Sequence, residues 1–254
     1  MGLELHQALC QRHDGLTAAF RKYGLIAVMV LWTTLVGLCA LPAMVMPRRA
    51  AFLVQRVWSK GMLWFLRVLF GVRYTVRGQD KIPPKPVIIA AKHQSTWDTI
   101  ILTLDEPPPA FVIKQELLRI PLYGWYCRAT GMIPVDRQGG ASALRIMLKA
   151  AERHIGQGRN IVIFPEGTRV PLGVRVPYQV GVASLYKSLG VPVVPVALNS
   201  GYFWPKSGLT DRRGTITMEY LEPIPPGLDK KTFLATLETR LEEASAKLNP
   251  DSLA

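Results

Sequence analysis

The chain has 254 residues, 49% hydrophobic and 19% charged, with 31 Lys and Arg against 18 Asp and Glu and a formal net charge of +13. This length is ample for a packed core in one or two domains, and so apolar a composition excludes a disordered chain. Three cysteines exclude a disulfide scaffold and fit a reducing compartment; the basic balance leaves nucleic acid, an anionic membrane or acidic substrates as partners.

Grease and charge coincide at the N-terminus. Tyr23 to Met46 is an uncharged run of 24 residues. A continuous helix of that length would cross a bilayer core of about 30 Å. Arg21 and Lys22 precede the run and Arg48, Arg49 and Arg56 follow it, so the positive-inside rule gives no orientation. Pro42 would kink or stop a helix. Val57 to Val72 carries Trp58, Trp64, Lys60 and Arg67, which suits an interfacial amphipathic helix. Two readings stand: a pair of helices dipping into one leaflet, or a single span. Residues 1–72 hold 8 basic and 2 acidic residues and are expected to form membrane-anchoring helices. No helix-turn-helix, zinc-finger or RNA-binding signature supports nucleic acid as a partner.

Residues 73–254 alternate short apolar runs with helical periodicity. Strands are predicted at Tyr74–Arg77, Val87–Ala91, Ala110–Ile113, Met132–Val135, Asn160–Phe164, Val191–Leu198 and Thr215–Leu221. Helices are predicted at Thr96–Leu104, Ala141–Ile155 and Tyr178–Leu189, and from about Lys230 to Lys247 with Asp229 as N-cap. This is an α/β domain with a mixed, largely parallel sheet flanked by helices. Ligands in such folds sit at the carboxyl ends of strands.

Four segments fall there. In Lys92-His93-Gln94-Ser95-Thr96-Trp97-Asp98, a turn into a helix can fold the Asp98 carboxylate back onto the His93 imidazole. The carboxylate would hold one ring nitrogen as a donor and leave the other to accept a proton from a hydroxyl. No G-x-S-x-G elbow occurs, and Cys127 reads as a packed thiol, so a substrate hydroxyl is expected to attack directly. His6, His13, His93 and His154 are scattered and no metal-ligand spacing occurs, so no metal is expected. In Phe164-Pro165-Glu166-Gly167-Thr168-Arg169, Gly167 permits a tight turn, Arg169 can grip a phosphate, and Glu166 can orient that arginine or accept from a hydroxyl. The third segment runs from Lys114-Gln115-Glu116-Leu117 to Gly131-Met132-Ile133-Pro134-Val135-Asp136-Arg137, where Asp136 can orient Arg137. The fourth, Val191 to Gly201, reads as a strand and turn more structural than catalytic.

In this order the segments resemble the glycerolipid acyltransferase family. The H-x4-D pattern is carried by His93 and Asp98. Lys114, Glu116, Leu117, Pro121, Gly124, Gly131, Ile133, Asp136 and Arg137 are similar to its second block, and Phe164 to Arg169 to its F-P-E-G-T-R block. The proline-bearing strand Val191–Val196 is similar to the fourth, and the resemblance covers roughly residues 60–225. It implies that His93, oriented by Asp98, deprotonates the 2-hydroxyl of lysophosphatidic acid for attack on acyl-CoA or acyl-carrier protein, giving phosphatidic acid without an acyl-enzyme. It also implies that Lys114, Arg137, Glu166, Gly167, Thr168 and Arg169 bind the acceptor. No cofactor is expected beyond the acyl thioester cosubstrate. The resemblance further implies lysophospholipid, acyl thioester and membrane lipids as partners, with acyl-carrier protein an alternative to acyl-CoA as donor, and a place at the cytoplasmic membrane with the catalytic domain facing the cytoplasm. One departure concerns the acceptor. Many members carry lysine shortly after the third block, where this chain has the uncharged Gln179, which leaves another lysolipid such as a lyso-ornithine lipid open; glycerol-3-phosphate is the other alternative acceptor within the family.

Overall fold

The computed structural model describes residue 21 and residues 23–249. His6, His13 and Cys10 lie outside them.

Residues 23–39 form helix α1, which ends before a 3-10 turn at Leu41–Val45 with Pro42 in its first positions. The uncharged run is therefore broken, and among the described residues no helix is long and apolar enough to cross a membrane. Helix α2 (Arg48–Phe70) starts after Pro47 and stops at Gly71, whose φ of 66° suits a glycine cap. The two helices run antiparallel as a hairpin. Arg21 donates to the Phe70 carbonyl at 2.7 Å, while further along Trp32 Nε1 donates to the Trp58 carbonyl at 2.9 Å. Trp58 Nε1 returns a bond to Thr33 Oγ1 at 2.9 Å. Trp32 lies against Gly61, where any Cβ would collide with the indole.

The hairpin leads into a seven-stranded sheet of order β1-β7-β6-β2-β5-β3-β4. The strands are β1 (Val72–Arg77), β2 (Ile88–Ala91), β3 (Ala110–Lys114), β4 (Ile133–Val135), β5 (Ile161–Ile163), β6 (Val193–Leu198) and β7 (Gly214–Tyr220). β2 to β6 all run parallel; β7 is antiparallel to β6 and parallel to β1. The expected mixed, largely parallel sheet is thus observed. The central strands β2, β5 and β6 are buried along their whole length, which explains their unbroken apolar sequences.

Alternation along those strands divides the core into two layers. Ile89, Ala91, Val162, Val194 and Val196 face α2 and helix α3 (Thr96–Leu102), against Met62, Leu66, Trp97 and Ile100. Ile88, Ala90, Ile161 and Val193 face α5 (Gly140–Gly156), α6 (Val180–Leu189) and α8 (Lys230–Lys247), against Met147, Ala151, Leu185 and Leu237. Helix α2 therefore contributes to the same core as the sheet. Two helices escape the sequence reading: α4 (Tyr123–Thr130), inside the second block, and the single turn α7 (Ser200–Phe203) after β6.

Because β2 to β6 are parallel, their carboxyl ends share one edge. His93, Lys114, Arg137, Arg169 and Ser200 all leave the sheet there.

Candidate active site

The site begins as a helix cap. Ser95 is the N-cap of α3, and its Oγ accepts from the Trp97 amide at 3.1 Å. Asp98 completes the reciprocal half of the capping box, with Oδ2 accepting from the Ser95 amide at 2.8 Å and the Gln94 amide at 2.7 Å. The same oxygen faces His93 Nδ1 at 3.1 Å. Cap geometry therefore brings the carboxylate back over five residues to the imidazole. A carboxylate can only accept, so the contact selects the tautomer protonated at Nδ1 and leaves Nε2 to take a proton.

The pair is held from other directions. Asp98 is fully buried, and its Oδ1 accepts from Ser200 Oγ at 2.5 Å. Gln94 Oε1 accepts from the Gly201 amide at 3.0 Å, which locks the turn before α3 to the turn after β6. Phe164, just past β5, stacks on the His93 ring with centroids 4.0 Å apart and planes 18° apart. The imidazole keeps 17% exposure, so one edge remains open to a substrate while Asp98 is dry.

The other expected residues divide into two groups. Arg137, Gly167, Thr168, Arg169 and Lys114 line the same edge with Lys114, Thr168 and Arg137 exposed. The Arg137 guanidinium lies beside Gly167, 3.8 Å from where a Cβ would sit, and Gln179 Cγ lies 3.0 Å from that point. Gly167, with φ 69°, leaves this space open. Among the described residues neither Arg137 nor Arg169 has a carboxylate within ion-pair distance. Partial desolvation by its neighbours lowers the Arg137 pKa, and the Glu116 charge offsets part of that. Asp136 does not orient Arg137: its Oδ1 accepts from the Gln138 amide at 2.9 Å.

Glu166 is the second group and corrects the sequence reading. It does not pair with Arg169, which donates to Thr96 Oγ1 at 2.9 Å instead. Its carboxylate points into the protein, fully buried, with Oε1 2.9 Å from Lys92 Nζ. A buried lysine directly before His93 makes this the cheaper orientation, since an unpaired ammonium could not stay there. Sequence reasoning missed Lys92, Gln94 and Ser200. Ser200 lay in a segment read as structural, and nothing local marks a contact across 102 positions.

His154 is buried, and its Nδ1 lies 3.2 Å from the Arg159 guanidinium on the α5 side of the sheet. Cys127 is a buried free thiol, as expected. Among the described residues no group of three His, Cys, Asp or Glu is placed to hold a metal.

Residues 73–199, half of the chain, match the family model described as Acyltransferase. The chain belongs to the acyltransferase family. It is 39% identical over 192 residues to the 1-acyl-sn-glycerol-3-phosphate acyltransferase of Pseudomonas aeruginosa, covering 76% of this chain and 74% of that protein. To the human 1-acyl-sn-glycerol-3-phosphate acyltransferase alpha it is 31% identical over 169 residues, covering 65% of this chain and 59% of the human protein. The crystal structure of the 1-acyl-sn-glycerophosphate acyltransferase of Thermotoga maritima superposes with a TM-score of 0.73 at 23% identity, covering 91% of this chain and 97% of that one. The acyltransferase fold therefore extends over the hairpin as well as the matched segment.

Proposed function

We propose that the chain transfers an acyl group from a thioester to the 2-hydroxyl of 1-acyl-sn-glycerol-3-phosphate. The observation that carries this reading is the buried Asp98, which accepts from the Gln94 and Ser95 amides and the Ser200 hydroxyl, behind a His93 with one exposed edge; at the same end of the sheet stand Arg137 and Arg169, which have no carboxylate within ion-pair distance among the described residues. The names of the related proteins support the choice of acceptor.

In this mechanism His93 Nε2 takes the proton of the 2-hydroxyl as its oxygen attacks the thioester carbonyl carbon. Asp98 stabilises the imidazolium that forms. The tetrahedral intermediate collapses, the C–S bond breaks, and the thiolate recovers the proton from the imidazolium. Phosphatidic acid and free thiol leave, and no acyl-enzyme forms. Arg137 and Arg169 take the phosphate, with Lys114, Gly167 and Thr168 around it. The donor is acyl-CoA or acyl-carrier protein, whose phosphates or acidic surface suit the basic edge.

The hairpin docks the enzyme on the membrane in the same reading. Ile26, Val30, Leu31, Leu35 and Leu38 of α1 are exposed, as are Val57, Trp64 and Val68 of α2. So much exposed apolar surface, with arginines flanking it, fits one leaflet of an anionic bilayer on the cytoplasmic side.

The test is turnover by purified protein in mixed micelles with lysophosphatidic acid and either donor. Thioester consumption with equimolar phosphatidic acid is expected, and a His93→Ala variant should lose about 10²–10⁴-fold or more in kcat. No turnover with any lysolipid refutes the reading; wild-type rates in His93→Ala refute the base. Gln179 beside Arg137 and Gly167 favours a second acceptor, a lysolipid with a less anionic head group such as a lyso-ornithine lipid. A higher kcat/KM for that lipid would establish it.

A further inference from the structure

Lys92 adjoins the proposed base, yet no step of acyl transfer uses it. Its side chain is 4% exposed, a costly position for an ammonium unless anions meet it. Two do. Nζ lies 2.9 Å from Glu166 Oε1 and 2.7 Å from Glu242 Oε1. Glu242 belongs to α8, 150 positions away, and its Oε1 also accepts from the Tyr178 hydroxyl at 3.0 Å. Glu166 Oε1 in turn faces the His93 amide at 3.4 Å. One ammonium thus gathers the turn after β2, the turn after β5, the approach to α6 and the C-terminal helix.

The electrostatics keep Lys92 charged. Burial works against the charged form of Lys92, but Glu166 and Glu242 outweigh it and hold its pKa above the ordinary lysine value. Burial pushes the Glu166 carboxyl up, with Lys92 offsetting part of that. Glu166 Oε2 is buried with no hydrogen-bond partner among the described residues, so its carboxylate is held through Oε1 alone. Glu166 and Lys92 are each 3% exposed, out of reach of a lipid head group.

We propose that Lys92 is a positioning residue for acyl transfer: with Glu166 and Glu242 it clamps the His93 turn to helix α8, and Glu166 works from inside the protein and not on the acceptor. This rests on the reading of His93 as base. The separation of His93 from Asp98 and from the acceptor hydroxyl depends on the backbone of residues 92–95, which the clamp holds. Helix α8 becomes part of the catalytic apparatus through Glu242, without touching a substrate.

The test compares wild type, Lys92→Met and Glu242→Gln, all full-length in mixed micelles with lysophosphatidic acid. A displacement of about 1 Å at a reacting group can cost about 10²-fold, so kcat is expected to fall about 10²-fold in Lys92→Met and about tenfold in Glu242→Gln. KM for the acceptor should change by less than about twofold, since no substrate contact is removed. Amide exchange over residues 92–98 should quicken while β3 and β4 keep wild-type rates. Wild-type kcat in either folded variant, or a loss carried by KM, overturns the proposal. If Lys92→Met fails to fold, Glu242→Gln decides alone. If the wild-type protein transfers no acyl group, the acyl-transfer reading fails, and exchange still judges the clamp: unchanged rates over 92–98 in Glu242→Gln refute it.

Discussion

Asp98 does two jobs with one carboxylate: Oδ2 caps α3 and faces His93, while Oδ1 takes the Ser200 hydroxyl. Removing Ser200 Oγ leaves an oxygen of a fully buried anion without its donor, which costs about 1–3 kcal/mol. Ser200→Ala is therefore expected to lower the thermal midpoint and to reduce kcat with KM little changed, by steady-state kinetics and calorimetry. Ser200→Thr, which keeps the hydroxyl, should recover most of both. The His93–Asp98 relation was readable from spacing because a capping box is local chemistry. Ser200 was not, because its approach is made by the parallel pairing of β2 with β6. Glu166 shows the same limit from the other side. Its place in a motif was legible, but the direction of its carboxylate was decided by Lys92, 74 positions earlier.

At the scale of elements, the hairpin is where periodicity and packing part company. Read alone, Tyr23 to Met46 is long enough to span a bilayer. Pro42 opens a 3-10 turn instead, and the Trp32 and Trp58 indoles spend their N–H groups tying α1 to α2. The Trp32 indole occupies the place a Cβ at Gly61 would take, so Gly61→Leu forces the ring out of its seat. Overpacking of this kind costs about 1–3 kcal/mol. A lower denaturant midpoint is expected, with weaker flotation on anionic vesicles as the exposed face loses its shape. Retained stability and retained flotation would show that the two helices do not pack in this register. Helix α4 escaped detection because it is short and lies within a motif whose glycines and proline read as loop.

For the whole molecule, one buried and one half-buried group pull stability in opposite directions across acid pH. Burial, aided by Arg159, Arg48 and Arg153, lowers the His154 pKa from 6.5 to about 4. The unfolded chain then binds the extra proton first, so this contribution is present above 6.5 and is lost as pH falls toward 4. Burial raises the Asp105 carboxyl from 3.8 to about 6 despite the donated Tyr220 hydroxyl. Its contribution is present below 3.8 and is lost as pH rises through 6. Urea titrations should show His154→Gln flattening the acid side of the stability profile. Asp105→Asn should gain stability above about pH 7 and little below about pH 4. Equal effects at both pH values would mean that neither group is perturbed.

The α/β class, the apolar central strands, the His93–Asp98 pair and the order of the blocks that mark the acyltransferase family were all legible in the residues. Those features rest on local periods, caps and turns, which neighbouring residues settle between themselves. Long-range packing settled that α1, which stops before Pro42, pairs with α2, that Ser200 closes on Asp98, and that Glu166 turns inward to Lys92 and Glu242. Each of these joins residues far apart in the chain. Burial makes the difference, because a polar group removed from water must find its partner wherever the fold places one.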